Sequence, residues 1–232
     1  MGAPSVIWPL SPDSDYLAGM TTQGGLRLFG VAEIESGNSD SVASGTTIVY
    51  HRGLGAIVEP ADYSAAKLDD EAMDRYAAVI EEAFRAGAVL PAPPGTVFKS
   101  HGTLSHWLEL HYFTLTDAMA VVEGHVAGRV SVRSAPDAKD DSKDDAAKSL
   151  KALSAEAIRL LRGHAAATVV LPVVEDESKE GVISRASFLV GADKWEAFQS
   201  IVSQENNRRP TLDVNLTGPW PPYDFVRMQF GG

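Results

Sequence analysis

The chain has 232 residues, of which 44% are hydrophobic and 22% charged; it contains no cysteine, and its formal net charge is −11. The absence of cysteine excludes disulfides, thiolate catalysis and Cys-based zinc sites, and the negative charge argues against nucleic acid and anionic membranes as partners. Because the sequence has neither a long apolar run nor a secretory signal pattern, we expect a cytoplasmic protein that does not span or bind a membrane.

The first half begins with residues 1–25, a segment with three prolines and scattered Ser and Asp that predicts a mobile N-terminal arm. Periodicity and turn residues then predict six elements: strands Leu26–Glu33, Thr46–Tyr50, Leu54–Glu59 and Thr96–Phe98, and helices Asp69–Gly87 and Ser100–Val122. A polar loop, Glu35–Gly45, precedes the second strand, and Arg52-Gly53 turns the second strand into the third. A stiff proline-rich turn, Pro91–Gly95, follows the first helix.

Both predicted helices of the first half have an apolar face with residues three and four apart. In the first helix this face consists of Met73, Tyr76, Ala77, Ile80 and Phe84. In the second helix it consists of Leu104, Trp107, Leu108, His111, Leu115, Ala118, Met119 and Val122. We therefore expect both helices to bury these faces.

The second half predicts the element order β-α-β-β-α-β. The strands are expected at Val126–Val132, Thr168–Val174, Val182–Val190 and Leu212–Leu216, with a further strand at Asp224–Phe230. A solvated Asp/Lys-rich loop, Ser134–Lys148, leads into the first helix, which continues to Leu161. The second helix opens at Asp193, where Glu196 three residues later completes a capping-box pattern, and Pro210 stops it.

This order is the ferredoxin-like signature, an antiparallel sheet with both helices on one face. The sequence therefore predicts an α+β protein of two domains, with the boundary near Gly124. After the arm, an N-terminal α+β domain covers residues 26–123, and a ferredoxin-like C-terminal domain covers residues 124–232.

A search for chemistry finds no pattern that indicates an enzyme or a cofactor. His101, His106 and His111 are five residues apart, so successive rings point to different sides of a helix, whereas metal-binding pairs are three or four apart. Nucleophile-elbow, zinc-protease and Walker A motifs are absent from the sequence. We therefore predict no catalytic residue, no metal site and no cofactor.

The segment that stands out combines prolines with large aromatic residues: Gly218, Pro219, Trp220, Pro221, Pro222 and Tyr223. Proline fixes φ and restricts the residue before it, so this segment predicts a rigid corner between two strands. Two interpretations are open. The two rings plug the end of the local core, or they form a protein-binding anchor, because rings on a rigid frame lose little entropy on binding.

The stretch Leu216–Val226 resembles the C-terminal signature of the gas vesicle protein F/L family, in which Leu-Thr-Gly-Pro-Trp-Pro-Pro-Tyr precedes a short aromatic strand. Weaker similarities lie at Leu28–Val31, His51–Val58, Val89–Pro91, Gly95–Phe98, Val122–Val126 and Ser184–Val190, so the resemblance covers about residues 26–230. The chain departs from the family at Tyr76, where a histidine is usual, and at Ala92-Pro93-Pro94, where Leu-Arg-Phe is usual.

The resemblance implies a non-enzymatic accessory or minor structural protein of gas vesicle assembly, located at the gas vesicle. Its partners would be the small hydrophobic shell protein and other accessory gas vesicle proteins. Two alternatives stay open at this point. One is a homologue that serves another protein compartment, suggested by the Pro93-Pro94 departure, and the other is a ferredoxin-like small-molecule sensor or enzyme, suggested by the fold alone.

Overall fold

The computed structural model describes residues 24–34, 43–63, 68–135 and 143–226. In this part of the chain, nine strands and five α-helices form two antiparallel sheets, each with its own helices. The predicted α+β class is confirmed. Most of the predicted N-terminal arm, most of the loop Glu35–Gly45 and the predicted strand after Val226 lie outside the described residues.

The first sheet is built from β1 (Gly24–Glu33), β2 (Thr47–His51), β3 (Leu54–Asp62), β4 (Val89–Pro91) and β5 (Val97–Phe98). Its order is β2-β3-β1-β4, and β5 pairs with β1 beyond β4 on the same edge. Helices α1 (Asp70–Ala86) and α2 (His101–Val122) cover its opposite faces, each over its own hydrophobic cluster. A bulge between Leu28 and Gly30 shifts the alternation of β1, so that Leu28 and Val31, which are three residues apart, both contribute to the cluster under α2.

The predicted hairpin is confirmed, because β2 and β3 pair in register around the Arg52-Gly53 turn. The face of α2 is also confirmed, except that His111 and Ala118 are only half-buried. The predicted apolar face of α1 is only partly correct. Its buried residues are Tyr76, Val79, Ile80 and Ala83, whereas Met73 is 39% exposed. The prediction favoured the larger apolar side chains of the helix, whereas the smaller residues Val79 and Ala83 are the ones buried against the sheet.

The second sheet contains β6 (His125–Ser134), β7 (Ala167–Leu171), β8 (Val182–Gly191) and β9 (Leu212–Trp220) in the order β7-β8-β6-β9. All neighbouring pairs are antiparallel. Helices α3 (Lys143–Arg162) and α5 (Trp195–Arg208) pack on one hydrophobic cluster of this sheet. A short helix, α4 (Glu175–Lys179), lies between β7 and β8. This arrangement confirms the ferredoxin-like prediction.

In the predicted loop Ser134–Lys148, which was expected to lead into a helix, residues 136–142 lie outside the described residues and helix α3 begins at Lys143. One local prediction in the second half is wrong. Asp193 lies in a 3-10 turn, Ala192–Lys194, and its side chain does not cap α5, whose first residue is Trp195. Of the expected strand at Asp224–Phe230, the described residues 224–226 form a turn, because Pro221 and Pro222 have already ended the pairing of β9, and residues 227–230 lie outside the described residues.

The domain boundary near Gly124 stays a prediction. It agrees with the packing on either side: Val122 belongs to the cluster under α2, and β6 begins the second sheet at His125. None of the described helices is long and apolar enough to cross a bilayer.

Candidate functional site

The predicted corner begins inside β9 rather than after it. Ala127 pairs with Trp220 and Arg129 pairs with Thr217, so Gly218 and Pro219 together oppose the single residue Gly128. This is a β-bulge, preceding a strand end, and the Gly218-Pro219 peptide bond is cis. Gly218 has φ 132°, and a Cβ there would lie 2.8 Å from the Ala127 carbonyl oxygen. The bulge therefore requires glycine at this position.

Trp220 ends β9 at the surface. Its side chain is 38% exposed, and its indole Nε1 donates a hydrogen bond to Thr217 Oγ1 at 3.2 Å. The ring is thus held in place from within its own strand. The interpretation in which Trp220 plugs the core does not fit this exposure.

After Trp220 the chain crosses from the second domain to the first, and we name the segment Pro221–Val226 the strap. Pro221 and Pro222 are buried. Two backbone hydrogen bonds tighten the segment, from Tyr223 N to Pro221 O at 2.8 Å and from Phe225 N to Pro222 O at 3.0 Å. Tyr223 packs against the cluster under α1, and Val226 packs against the cluster under α2. The strap therefore touches both cores of the first domain.

The strap is also tied back to the second sheet by an ion pair. Arg129 on β6 donates to both carboxylate oxygens of Asp224, from Nε at 2.8 Å and from NH2 at 3.0 Å. The Asp224 side chain is only 15% exposed and that of Arg129 39%. A two-bond arginine–carboxylate contact fixes direction as well as distance, so it orients the strap on β6.

Two tyrosines meet where the strap reaches α1. The rings of Tyr76 and Tyr223 are 6.2 Å apart between centroids, and the Tyr76 hydroxyl donates to the Ala92 carbonyl oxygen at 2.5 Å. Burial raises the pKa of Tyr223 to about 12, with Glu81 adding to the rise and Arg129 opposing it. Burial, followed by Tyr223, also raises the pKa of Tyr76. Both hydroxyls thus stay protonated near neutral pH.

Between α1, the proline-rich turn and the strap lies a groove of about 540 Å³, which we name the junction groove. Its wall comprises Met73, Tyr76, Ala77, Glu81, Pro91, Ala92, Pro93, Pro94, Arg129, Trp220, Tyr223 and Val226. The charged members of this wall are Glu81 and Arg129. The wall is otherwise dominated by prolines, aromatic rings and small apolar residues, a lining suited to holding an apolar segment of another molecule.

The structure brings together Trp220 and Tyr223 from the predicted corner and adds residues that sequence reasoning missed. Met73 and Ala77 were expected in the core, yet they line the junction groove. The sequence did not indicate Arg129 as a residue of the site, because an arginine at a polar position of an alternating strand is ordinary. The departure at Pro93-Pro94 was a usable signal, since both prolines lie in the groove wall.

The three evenly spaced histidines lie along α2 and do not converge. His101 lies within 3.3 Å of Ser105 Oγ, His106 lies 4.0 Å from Glu109 at the surface, and the His111 ring packs 5.2 Å from that of Trp107. In the described parts of the chain, no group of three or more His, Asp or Glu side chains is arranged to hold a metal ion.

Comparison with known proteins gives one family. The sequence profile of "Gas vesicle synthesis protein GvpL/GvpF" matches residues 28–160 and 138–227. Gas vesicle protein F2 of Halobacterium salinarum is 28% identical over 199 residues, which cover 84% of this chain and 87% of that protein. Gas vesicle protein F of Haloferax mediterranei is 25% identical over 215 residues, covering 89% of this chain and 95% of its own length.

Two crystal structures share the fold. The gas vesicle protein GvpF of Anabaena sp. PCC7120 superposes with a TM-score of 0.71 at 16% identity, over 90% of this chain and 98% of its own. The GvpF of Microcystis aeruginosa superposes with a TM-score of 0.67 at 14% identity, over 88% and 99%. At these identities the superpositions establish the fold alone.

Proposed function

Because the chain belongs to the gas vesicle synthesis protein GvpL/GvpF family, we propose that it is a non-catalytic assembly protein that binds the shell protein and other accessory proteins of the gas vesicle. It would act in the cytoplasm, on the vesicle as it forms. The observation that carries the proposal is the junction groove, a preformed apolar groove with the exposed ring of Trp220 in its wall.

Two properties of the groove support protein binding: its aromatic rings are held in place, and its wall is mostly apolar. Tryptophan and tyrosine contribute most to binding when they stand on a rigid frame, because little side-chain entropy is then lost. Here the frame is rigid on both sides, since Trp220 is hydrogen-bonded to Thr217 and Tyr223 is packed on Tyr76. A hydrophobic shell protein would offer the apolar segments that such a wall accepts.

A small-molecule role remains the second candidate. It is favoured by one observation: the groove volume of about 540 Å³ lies within the range of ligand pockets, roughly 300–1,000 Å³. Against it, a specific ligand usually needs several convergent polar groups, whereas the charged groups of this wall are Glu81 and Arg129. Binding of the shell protein at this groove would exclude the groove's use as a ligand pocket of that kind.

Co-purification with the shell protein tests the proposal. We expect the tagged chain to retain the shell protein when both are produced together, and Trp220→Ala to reduce the retained amount at least about tenfold, as for a binding hot spot. Since Trp220 is only 38% exposed, its removal should also lower the free energy of unfolding by about 1–3 kcal/mol, so retention is compared at a temperature at which circular dichroism shows both chains folded.

The matched control is Val170→Ala, because Val170 is an apolar residue, 74% exposed, on β7 at the opposite edge of the same sheet and outside the groove wall. It should retain the shell protein as the unaltered chain does. A chain that retains no vesicle protein, combined with normal vesicles in cells lacking it, would overturn the proposal. A homologue serving another compartment would instead retain that compartment's shell protein.

A further inference from the structure

Helix α2 is apolar on two sides. One side is buried against the first sheet through Leu104, Trp107, Leu108, Leu115, Met119 and Val122. On the other side Leu110, Phe113 and Val121 are 70%, 78% and 55% exposed. A helix that is apolar all round normally lies inside a protein, so this outer face marks an interaction surface.

The exposed residues form a seam. His106, Leu110, Phe113, Asp117 and Val121 follow one another at steps of three and four, the spacing with which one helix packs along another. From Leu110 to Val121 the seam runs for about 16 Å, or three turns. At its centre the Phe113 ring meets the Tyr112 ring edge-on at 5.5 Å, and Arg52 lies over Tyr112 at 5.7 Å.

The charges on α2 indicate what kind of helix would fit. The helix contains two carboxylates, Glu109 and Asp117, and no lysine or arginine. Asp117 lies within the seam itself, between Phe113 and Val121, and Glu109 borders it. Arg52 contributes a positive charge only on the side where it covers Tyr112. A partner that covers the seam must therefore supply a cation for Asp117, because a carboxylate covered without one is strongly destabilising.

A second copy of the chain does not meet this requirement. In an antiparallel self-pair centred near Phe113, Asp117 would face Leu110 of the other copy; in a parallel pair it would face the other Asp117. Neither arrangement places a lysine or arginine of α2 against the carboxylate, since the helix has none. Pairing of α2 with a second α2 would thus leave Asp117 without a cation from the facing helix, or beside a like charge.

We propose that the outer face of α2 binds an amphipathic helix of another protein, one whose apolar residues recur at steps of three and four and which carries a lysine or arginine opposite Asp117. This surface is independent of the junction groove, because α1 and α2 cover opposite faces of the first sheet. The chain could therefore hold two partner segments at once, one on each side of its first domain.

A pair of synthetic peptides tests the proposal on the full chain. The first is a fluorescent 15-residue helical peptide with four leucines at heptad spacing and a central lysine; the second has glutamate in place of that lysine. Fluorescence anisotropy should give the unaltered chain at least a tenfold lower Kd for the lysine peptide. Phe113→Ala should weaken that binding at least tenfold, and Asp117→Lys should reverse the preference.

Two readouts distinguish specific binding at this surface from nonspecific hydrophobic binding and from unfolding. Val170→Ala removes an equally exposed apolar residue elsewhere and should leave both Kd values unchanged. All four chains should keep the same melting temperature, since the changed side chains are exposed. Equal binding of the two peptides would overturn the proposal. So would a dimer, seen by sedimentation, that Phe113→Ala dissociates, or peptide binding that requires removal of residues 1–23.

Discussion

Tyr223 joins the two domains through an aromatic contact between residues far apart in the sequence. It follows the last strand of the second domain, yet its ring packs on Tyr76 of α1 in the first. The partial burial that this contact requires also raises the pKa of its hydroxyl, because a phenolate would lose water there. The same residue therefore links the stability of the domain contact to pH.

We predict that the free energy of unfolding falls at alkaline pH partly through Tyr223. The pKa of Tyr223 is raised to about 12 in the folded chain from about 10, so its contribution is complete below pH 10 and is lost as pH rises through 12. Urea unfolding at pH 8 and pH 11 should show a smaller loss of stability for Tyr223→Phe than for the unaltered chain. Equal losses in the two proteins would contradict this role of the hydroxyl.

At the scale of elements, β9 differs from an ordinary edge strand. Its pairing with β6 survives a two-residue bulge at Gly218 and Pro219 and resumes at Trp220. The bulge places Gly218 against the Ala127 carbonyl oxygen and the Trp195 ring, at 2.8 Å and 3.0 Å from an added Cβ. The glycine of the signature is therefore explained by close approach of the backbone as well as by its positive φ.

We predict that Gly218→Ala lowers the free energy of unfolding by about 2–4 kcal/mol, because strain from positive φ and the clash with Ala127 act together. Gly181→Ala is the matched control: Gly181 has φ 83° but nothing within 4 Å of an added Cβ. It should cost only about 1–2 kcal/mol. Urea unfolding measures both variants, and equal costs would mean that the close approach contributes nothing.

At the scale of the whole molecule, the strap connects the two domains by contacts to both, and the junction groove lies between them. Pro221–Val226 contacts both clusters of the first domain while Asp224 is held by Arg129 on the second sheet. The groove wall is drawn from both domains, so its shape depends on this connection. Weakening the connection should affect stability and partner binding together.

A double-mutant cycle of Arg129→Ala and Asp224→Ala should give a coupling free energy of about 1 kcal/mol, since the pair makes two bonds and Asp224 is only 15% exposed. The control cycle uses Lys179 and Asp176, a single contact of 3.3 Å with side chains 65% and 91% exposed, for which about 0–0.5 kcal/mol is expected. Urea unfolding measures both cycles. Equal coupling in the two would show that Arg129–Asp224 does not brace the domains.

Much of the fold could be predicted because its signals are local. Alternation in β6 and β9, helical periodicity in α2, and the Arg52-Gly53 turn each depend on neighbours in sequence. The order of these elements was enough to predict the ferredoxin-like sheet. Errors arose where two local solutions have similar free energies, as at Asp193, which could cap a helix or enter a 3-10 turn.

The sequence by itself determined that this protein has two α+β domains, that residues 216–226 form its most distinctive segment, and that the family of that segment is the gas vesicle F/L family. Only the tertiary structure decided which ring of the corner is exposed and which is packed against the first domain. Trp220 lies exposed and Tyr223 lies against Tyr76, 147 residues earlier in the chain. Burial of a side chain depends on segments brought together from distant parts of the sequence, and no local pattern at Trp220 or Tyr223 encodes them.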